Sequence, residues 1–343
     1  MNEQIEKASN EQKVTYTLRM YNESEVTAKG KSVIEYIPDG LVFVPENDVN
    51  KKYGWVMYTV DEDGELHETD ETGKADLVAT DYLVDKEINA YKKQESETLS
   101  YLDIDVVFEV DESKITSTDR IIENKVQIVP NKNDDYPEND ESTERIYVKY
   151  FDLDITKYIE EVKVNNGKDE KVQKVGQDKK GELVEIDVKE RKVKNTTITV
   201  TYGLIVKNIG EIPGYATEIT DYVPEDFKLL ENGTWSIEGN KAVTTSLKNT
   251  LINPGESTKL YITFEWNLAK GNIGSRINEA KITRYANEYN AKDPTEDNND
   301  KEELLVTVKT GSGVISYIGI ALGFITVVAG GVILIKKRLL SRM

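Results

Sequence analysis

Three polar residues in the second half of this 343-residue sequence could carry out covalent chemistry together: Lys157, Asp221 and Asn278. Each lies in a segment of alternating apolar residues, DITKYI, EITDYVP or RINEAKIT, which predicts a half-buried β-strand. Burial disfavours charge, so a shared interior would favour a free lysine amine and a neutral acid. With Asp221 polarising the Asn278 carbonyl, the amine could attack it and release ammonia, leaving an amide cross-link. The alternative is a structural trio without a cross-link.

An internal repeat indicates which elements must position these residues. Residues 13–44 align without a gap with residues 199–230, at a constant shift of 186 that places residue 13 on residue 199. Later segments keep their order at smaller shifts, so the repeating unit is a domain of over a hundred residues. The matched pairs include Tyr16 with Tyr202, Asn22 with Asn208, Glu35 with Asp221, Trp55 with Trp235, 102–110 with 260–268, and Asn124 with Asn278.

The repeat predicts an all-β fold. Its apolar residues alternate with period two, as in VTYTLRMY and LYITFEW, and turn sequences such as Pro38-Asp39-Gly40 separate the runs. The only segment that could hold a short helix is 81–93. We therefore expect two tandem antiparallel Ig-like β-sandwiches plus one C-terminal transmembrane α-helix.

The composition of successive segments predicts the boundaries. Two acidic runs, at 131–147 and 287–313, are expected to be linkers. The predicted order is a first sandwich at 1–130, the first linker, a second sandwich with the cross-link at 148–286, the second linker, a transmembrane helix at 314–335 and a basic tail at 336–343.

The first repeat departs from the second at its beginning. The position equivalent to Lys157 falls before Met1, so Glu35 and Asn124 match the acid and the asparagine but have no lysine partner. A sandwich without its N-terminal strand leaves an unpaired edge. An N-terminally incomplete chain is the simplest explanation, and a strand donated by a neighbour is the alternative.

The apolar run Val314–Ile335 predicts a single span of the lipid bilayer. Its 22 uncharged residues make a helix of about 33 Å, close to the hydrocarbon thickness of about 30 Å. The basic residues after it predict a cytoplasmic C-terminus, with the N-terminal part outside at the cell membrane or cell surface. The first residues contain no apolar signal segment, so we expect either the end of a longer chain or a tail-anchored cytosolic protein.

The strands that carry the trio resemble a known family. FDLDITKYI, VTYGLIVKN, EITDYVPEDF and INEAKI resemble the conserved-repeat and isopeptide-forming (CnaA-like, pilin-type) domains of Gram-positive surface proteins, especially clostridial ones. The resemblance implies an intramolecular isopeptide bond between Lys157 and Asn278, promoted by Asp221. Residues 308–311 also resemble a cell-wall sorting motif but lack its Leu-Pro, so we expect a retained membrane anchor.

Composition narrows the function. The net charge of −19 argues against a nucleic-acid partner, and the chain has no cysteine and a single histidine, His67. We therefore expect no enzyme acting on an external substrate, and no cofactor or metal site; the acidic turn 61–65 lacks the full spacing of a calcium loop. The sequence predicts a surface stalk or adhesin-like protein. The alternative is a module that binds a carbohydrate or host-matrix ligand through Trp55, Trp235, Trp266 and Tyr261.

Overall fold

The computed structural model describes residues 5–92, 98–129, 139–230, 233–295 and 298–309, and most of these residues form β-strands. Two separate hydrophobic cores divide them into two units, the first core running from Ala8 to Val148 and the second from Phe151 to Val306. The prediction of a mainly β chain is confirmed.

The first unit contains the following elements in chain order: β1 (Glu6–Ala8), β2 (Lys13–Asn22), β3 (Ala28–Lys29), β4 (Val33–Tyr36), β5 (Leu41–Phe43), α1 (Asp48–Tyr53), β6 (Val56–Val60), β7 (Leu66–Glu68), β8 (Leu77–Thr80), β9 (Glu87–Ile88), β10 (Ser100–Val110), β11 (Ile121–Ile128) and β12 (Glu141–Val148). Within the described residues, one sheet has the order β1-β12-β11-β4-β8-β6-β7. A second sheet has the order β2-β10-β5, and β3 pairs with β9.

The second unit contains β13 (Leu153–Asn165), β14 (Glu170–Lys174), β15 (Val184–Lys189), β16 (Thr197–Asn208), β17 (Gly214–Tyr222), β18 (Phe227–Leu229), β19 (Ser236–Glu238), β20 (Lys241–Thr244), β21 (Ser257–Asn267), β22 (Gly274–Asn287) and β23 (Asn299–Lys309). Its described strands form one sheet of order β14-β13-β16-β21-β18 and another of order β15-β23-β22-β17-β20-β19. The two sheets enclose the second core.

The repeat extends to individual contacts. Asn22 and Asn208 are both buried, and each side-chain amide donates to the carbonyl four residues later, at 2.9 and 2.8 Å. Trp55 and Trp235 also match, because each indole N–H donates to a backbone carbonyl of the long strand β10 or β21, at 2.8 and 2.9 Å. The two units therefore share one architecture.

The alignment of β10 with β21 differs from the sequence prediction by two residues. Tyr16 lies opposite Val106 and its counterpart Tyr202 lies opposite Ile262, so Val106 corresponds to Ile262. Residues 102–110 thus match 258–266 rather than 260–268. A shift by two leaves every side chain on the same face of a strand, so the alternating pattern alone cannot distinguish the two alignments.

The sequence predicted wholly antiparallel sandwiches, and this prediction is wrong at two places. β1 runs parallel to β12, and β15 runs parallel to β23. The partners in each pair are more than a hundred residues apart, so no hairpin turn forces an antiparallel direction.

Parts of both expected acidic linkers are strands. Most of β12 lies within 131–147 and pairs with β11, while β23 lies within 287–313 and pairs with β22. In both strands the acidic residues come before the apolar ones, which gave these segments a linker-like composition. Four residues, 149–152, connect β12 to β13.

The helical prediction also needs correction. Of the segment 81–93, the described residues 81–92 contain turns and the short strand β9, whereas the helix α1 occupies Asp48–Tyr53. Asn47 caps α1 by accepting from the Val49 N–H, and Gly54 ends it in a left-handed conformation at φ 63°. Six residues make fewer than two turns, too few to show a helical period.

The first unit has no counterpart of β13 among its described residues. β16 pairs with β13 on one side and β21 on the other, whereas its counterpart β2 pairs with β10 alone. The predicted transmembrane helix at 314–335 and tail at 336–343 lie outside the described residues. Up to Lys309, where the description ends, no helix is long and apolar enough to cross a membrane.

Candidate functional site

Lys157 lies in the middle of β13 with its side chain inside the second sandwich. Its neighbours two residues away, Ile155 and Ile159, point the same way and are buried. The lysine itself is 0% exposed, which is rare for this residue type. It lies opposite Leu204 of β16, and its backbone N–H donates to Asp300 Oδ2 at 2.7 Å. The hydrogen bond to Asp300 thus links β13 to β23 of the facing sheet.

Asp221 and Asn278 lie on the facing sheet, in the adjacent strands β17 and β22. Lys157 Nζ donates a hydrogen bond to Asp221 Oδ2, and Asn278 Nδ2 donates to Asp221 Oδ1 at 2.5 Å. Both Asp221 and Asn278 are 0% exposed. An amine from one sheet and a carboxamide from the other therefore meet on the two oxygens of one carboxyl group.

The surroundings favour the uncharged form of Lys157. Burial lowers the pKa of Lys157, and the nearby Asp221 carboxylate opposes that shift. Transfer of a proton from Nζ to Asp221 would leave a neutral amine beside a neutral acid, which removes two charges from an interior that solvates them poorly. The neutral amine is the nucleophilic form of lysine.

The Asn278 side chain is oriented differently from the sequence expectation. The sequence predicted a hydrogen bond between the Asp221 acid and the Asn278 side-chain carbonyl. In the structure the amide nitrogen instead donates to Asp221 and, at 3.0 Å, to the Tyr222 carbonyl. Asn278 Oδ1 has no hydrogen-bond partner within the described part of the chain. A half-turn about the Cβ–Cγ bond exchanges the two atoms and brings Oδ1 to the carboxyl group.

Glu302 is a further ionisable group at the site, and the sequence analysis missed it. It lies on β23 opposite Asn278 and is 4% exposed. Burial raises the pKa of Glu302 to about 6, while the Gly181 N–H that donates to Oε1 at 3.1 Å opposes the shift. Its alternation with buried Leu304 and Val306 was the available signal, but it lies in a run of acidic residues.

The ring of Tyr202 lines the chamber that is formed by Lys157, Asp221, Asn278 and Glu302. Nζ of Lys157 lies 4.5 Å from the ring centroid of Tyr202, which is fully buried. On the other face of β13, the Tyr158 ring lies against Gly203, where any Cβ would collide with the ring. A glycine at 203 therefore allows β13 and β16 to keep their positions around Lys157.

The first unit brings together Glu35 and Asn124, as the repeat predicted, and no lysine joins them among its described residues. Both side chains are buried, and Asn124 Nδ2 donates a hydrogen bond to Glu35 Oε1. Burial raises the pKa of Glu35 to about 8, and the hydrogen bond from Asn124 acts in the opposite direction. An acid and a carboxamide are thus in contact without an amine.

Other candidate residues lie apart from this chamber. Trp55, Trp235 and Trp266 are buried in the cores, and Tyr261 is 45% exposed. The tryptophans therefore serve packing rather than an open binding surface. His67 lies at the surface, with Nε2 at 2.8 Å from Asp61 Oδ2, and the described ranges contain no group of carboxylates and histidines arranged to hold a metal ion.

No protein-family model and no curated protein matches the sequence. Solved structures give partial likenesses. The full-length major pilin SpaD from Corynebacterium diphtheriae is 14% identical, over 84% of this chain and 63% of the pilin, with a TM-score of 0.25. This chain thus spans less than two thirds of that pilin.

Two further likenesses are weaker. The serine-rich repeat protein Srr2 from Streptococcus agalactiae is 10% identical, over 85% of this chain and 83% of that protein, with a TM-score of 0.20. The GH20 exo β-N-acetylglucosaminidase from Vibrio harveyi is 9% identical, over 48% of this chain and 19% of the enzyme, with a TM-score of 0.19. At these TM-scores the likenesses carry no argument about this chain's function, which depends on its own residues.

Proposed function

We propose that this chain is a structural stalk or adhesin-like protein of a bacterial cell surface, whose second unit is closed by an autocatalytic amide bond between Lys157 and Asn278. The observation that carries the proposal is the buried contact of both side chains with Asp221. The resemblance of these strands to isopeptide-forming domains agrees with the same chemistry.

The reaction needs only the residues of the chamber. The proton of the Lys157 ammonium passes to Asp221, and the neutral Nζ attacks Cγ of Asn278. The Asp221 carboxyl group polarises the Asn278 carbonyl, delivers its proton to the departing nitrogen and then accepts the proton that Nζ loses. The Cγ–Nδ2 bond breaks, ammonia leaves, and the Cγ–Nζ bond of the new amide remains. No oxidant, metal or external group takes part.

The bond would make the second unit resistant to unfolding. Lys157 and Asn278 belong to facing sheets, so the amide would fasten one sheet to the other. It would also close a loop of about 120 residues, which by the chain-entropy treatment of disulfides contributes on the order of 5 kcal/mol. Such a bond substitutes for disulfides in a chain without cysteine.

The surface location is supported by the sequence of the C-terminal region. The apolar run 314–335 followed by basic residues is typical of a single membrane anchor with a cytoplasmic tail. Two tandem β units before such an anchor suit a protein that projects from the cell. We include a retained anchor in the proposal for this reason.

The intact mass of the chain tests the cross-link. We expect the purified full chain, in detergent, to weigh one ammonia less than its sequence requires, and the Asn278→Ala variant to have its full calculated mass. Asn124→Ala is the matched control, since it removes the equivalent residue of the first unit and should retain the deficit. A wild-type chain of full calculated mass would refute the cross-link.

A further inference from the structure

The first unit contains the reaction chamber of the second in nearly complete form. Tyr16 and Phe108 are 6.2 Å apart in an edge-to-face arrangement at 69°, and Tyr202 and Phe264 are 6.2 Å apart at 67°. Glu35 takes the place of Asp221, bonded to Asn124 as Asp221 is to Asn278. The amine is the missing component.

Two oxygen atoms in this chamber have no partner. Within the described chain, Glu35 Oε2 and Asn124 Oδ1 make no hydrogen bond, although both side chains are buried. Burying polar atoms without partners costs about 1–3 kcal/mol for each group. In the second unit Lys157 Nζ donates to Asp221 Oδ2, so a lysine amine is the donor that could reach the equivalent carboxyl oxygen, Glu35 Oε2.

The route to the chamber lies along the open edge of β2. Val14 and Leu18 are only partly buried, whereas the equivalent Val200 and Leu204 of β16 are fully covered beside β13. No strand pairs with this edge in the described residues. The first unit therefore leaves a strand position open beside its acid and amide.

The different exposure of Glu144 and its counterpart Glu302 also points to the open strand position beside β2. Glu144 lies opposite Asn124 on β12, just as Glu302 lies opposite Asn278 on β23. Glu302 is buried and Glu144 is exposed. This difference in exposure is expected if a strand bound at the edge of β2 would also cover Glu144.

We propose that the edge of β2 binds an extended, lysine-bearing segment as an additional strand, and that Asn124 then forms an amide bond with that lysine. This inference rests on the chemistry proposed for Lys157 and assigns to the first unit a covalent partner. The segment would run antiparallel to β2, as β13 runs antiparallel to β16, with its lysine opposite Leu18.

The pairing of β13 with β16 predicts which positions of the bound segment should be apolar. In the second unit Leu153, Ile155 and Ile159 lie opposite Asn208, Val206 and Tyr202. The equivalent positions in the first unit are Asn22, Met20 and Tyr16. The partner should therefore carry apolar residues four and two positions before its lysine and two positions after it, a pattern that residues 151–162 of this chain provide.

The bond would form without any added reagent. The lysine gives its ammonium proton to solvent as it enters, and its neutral Nζ attacks Cγ of Asn124. Glu35, protonated in its buried place, gives its proton to the leaving nitrogen, the Cγ–Nδ2 bond breaks and ammonia departs, while the Glu35 carboxylate takes the proton that Nζ loses. The products are an amide between Asn124 and the bound segment, ammonia and a neutral Glu35.

A peptide of residues 151–162, FDLDITKYIEEV, is the probe for this site, because Lys157 is its only lysine. We expect the full chain, incubated with this peptide in detergent, to gain the peptide mass less one ammonia, with the new bond mapped to Asn124. A peptide with Lys157→Arg should bind without forming an adduct. The adduct should fall to background in Asn124→Ala and Glu35→Gln chains.

Glu123→Gln is the matched control, because Glu123 is exposed on β11 next to Asn124 and should leave the adduct unchanged. Circular dichroism of each variant checks that it folds, and the Lys157→Arg peptide tests the chemistry with an unaltered chain. Binding of both peptides without an adduct would overturn the covalent step. No binding, an adduct elsewhere, or pairing of β2 edges between two copies would overturn the proposed site.

The mass of the untreated chain separates the two proposals. If the second unit lacks one ammonia but the peptide does not bind, the inference about the first unit fails while the proposed function stands. If the untreated chain has its full calculated mass, the proposed cross-link fails, and binding of the Lys157→Arg peptide then decides whether the edge of β2 is a docking site.

Discussion

Glu35 is a carboxylic acid in an apolar wall with no basic side chain bonded to it in the described structure. It contacts Asn124, and the nearby Tyr16 and Glu144 supply no positive charge. Its raised pKa, about 8 against an ordinary 4.5, means that the folded chain holds a proton between these values that the unfolded chain has released. Folding therefore takes up a proton in this range.

This proton uptake predicts a pH dependence of the first unit. The stability that Glu35 contributes is fully present below about pH 4.5 and is lost as the pH rises towards 8, by at most about 1.4 kcal/mol for each pH unit. We expect the urea midpoint of the first unit to be higher at pH 5 than at pH 8.

The measurement is hydrogen exchange of peptides from β10 and β11, labelled briefly at one common pH after equilibration in urea. Glu35→Gln should remove the part of the pH dependence that comes from this group, whereas the surface control Glu123→Gln should keep it. An equal midpoint at both pH values in the wild-type chain would contradict the prediction.

Most residues of the chamber could be predicted from the sequence. Lys157, Asp221 and Asn278 were predicted to meet because each polar residue occupies an inward position of an apolar strand. Glu302 could not be found in the same way, because its strand begins inside an acidic run. The orientation of the Asn278 amide depends on Tyr222 and Asp221 together, which no local pattern encodes.

At the scale of the elements, β13 contains a bulge that keeps the apolar side chains of both halves of the strand pointing into the core. Ile159 lies opposite Tyr202 and Glu161 lies opposite Thr201, so Glu160 is an extra residue. Lys157 and Ile159 point inward before the bulge, and Val162 points inward after it. The bulge accommodates two successive glutamates without moving the lysine.

Deletion of one residue at either of two places in β13 should therefore have opposite results. Removing Glu160 restores regular alternation and leaves Lys157 and Val162 on the inner face, so the cross-link should still form. Removing Thr156 places Ile155 next to Lys157, so one of them must turn outward, and the lysine should do so because a polar amine costs more to bury than an isoleucine side chain. The intact mass is the test: the ammonia deficit should persist without Glu160 and disappear without Thr156, and the reverse result would contradict the register.

Element positions could be predicted where apolar residues alternate, and not where a strand is mostly exposed. The long strands β2, β10, β16 and β21 follow from their sequences, but the alternating pattern allowed a two-residue error in matching β10 to β21. β12 and β23 have acidic residues in their first halves. Their pairing depends on distant strands, so composition alone suggested linkers.

At the scale of the whole molecule, the two units meet through polar groups at the end of β22. Asn10 Nδ2 donates to the Tyr289 carbonyl at 2.9 Å, and Asn290 Nδ2 donates to Glu11 Oε2 at 2.7 Å. Lys7 and Glu211 form an ion pair at 3.2 Å. Exposed pairs of this kind contribute at most about 1 kcal/mol each, so we expect the units to unfold independently.

Independent units should give distinct lengths in single-molecule stretching. With the cross-link formed, the second unit can release only residues 151–157 and 278–309, a gain of about 130 Å at 3.4 Å per residue. The Asn278→Ala variant should release the whole unit, roughly 540 Å. The two chains should give the same gain for the first unit, and equal gains for the second unit would contradict the predicted closure.

The place of β23 in the chain has a mechanical consequence. This strand follows Asn278, so the closed loop does not include it, and it is held in the sandwich by its pairing with β22 and β15 and by the hydrogen bonds of Asp300 and Glu302. A pull directed towards the expected anchor would peel β23 away while the remaining body kept its shape. That body would then serve as a ready template on which the strand could re-form, so the end of the stalk nearest the cell would act as a self-restoring elastic tether.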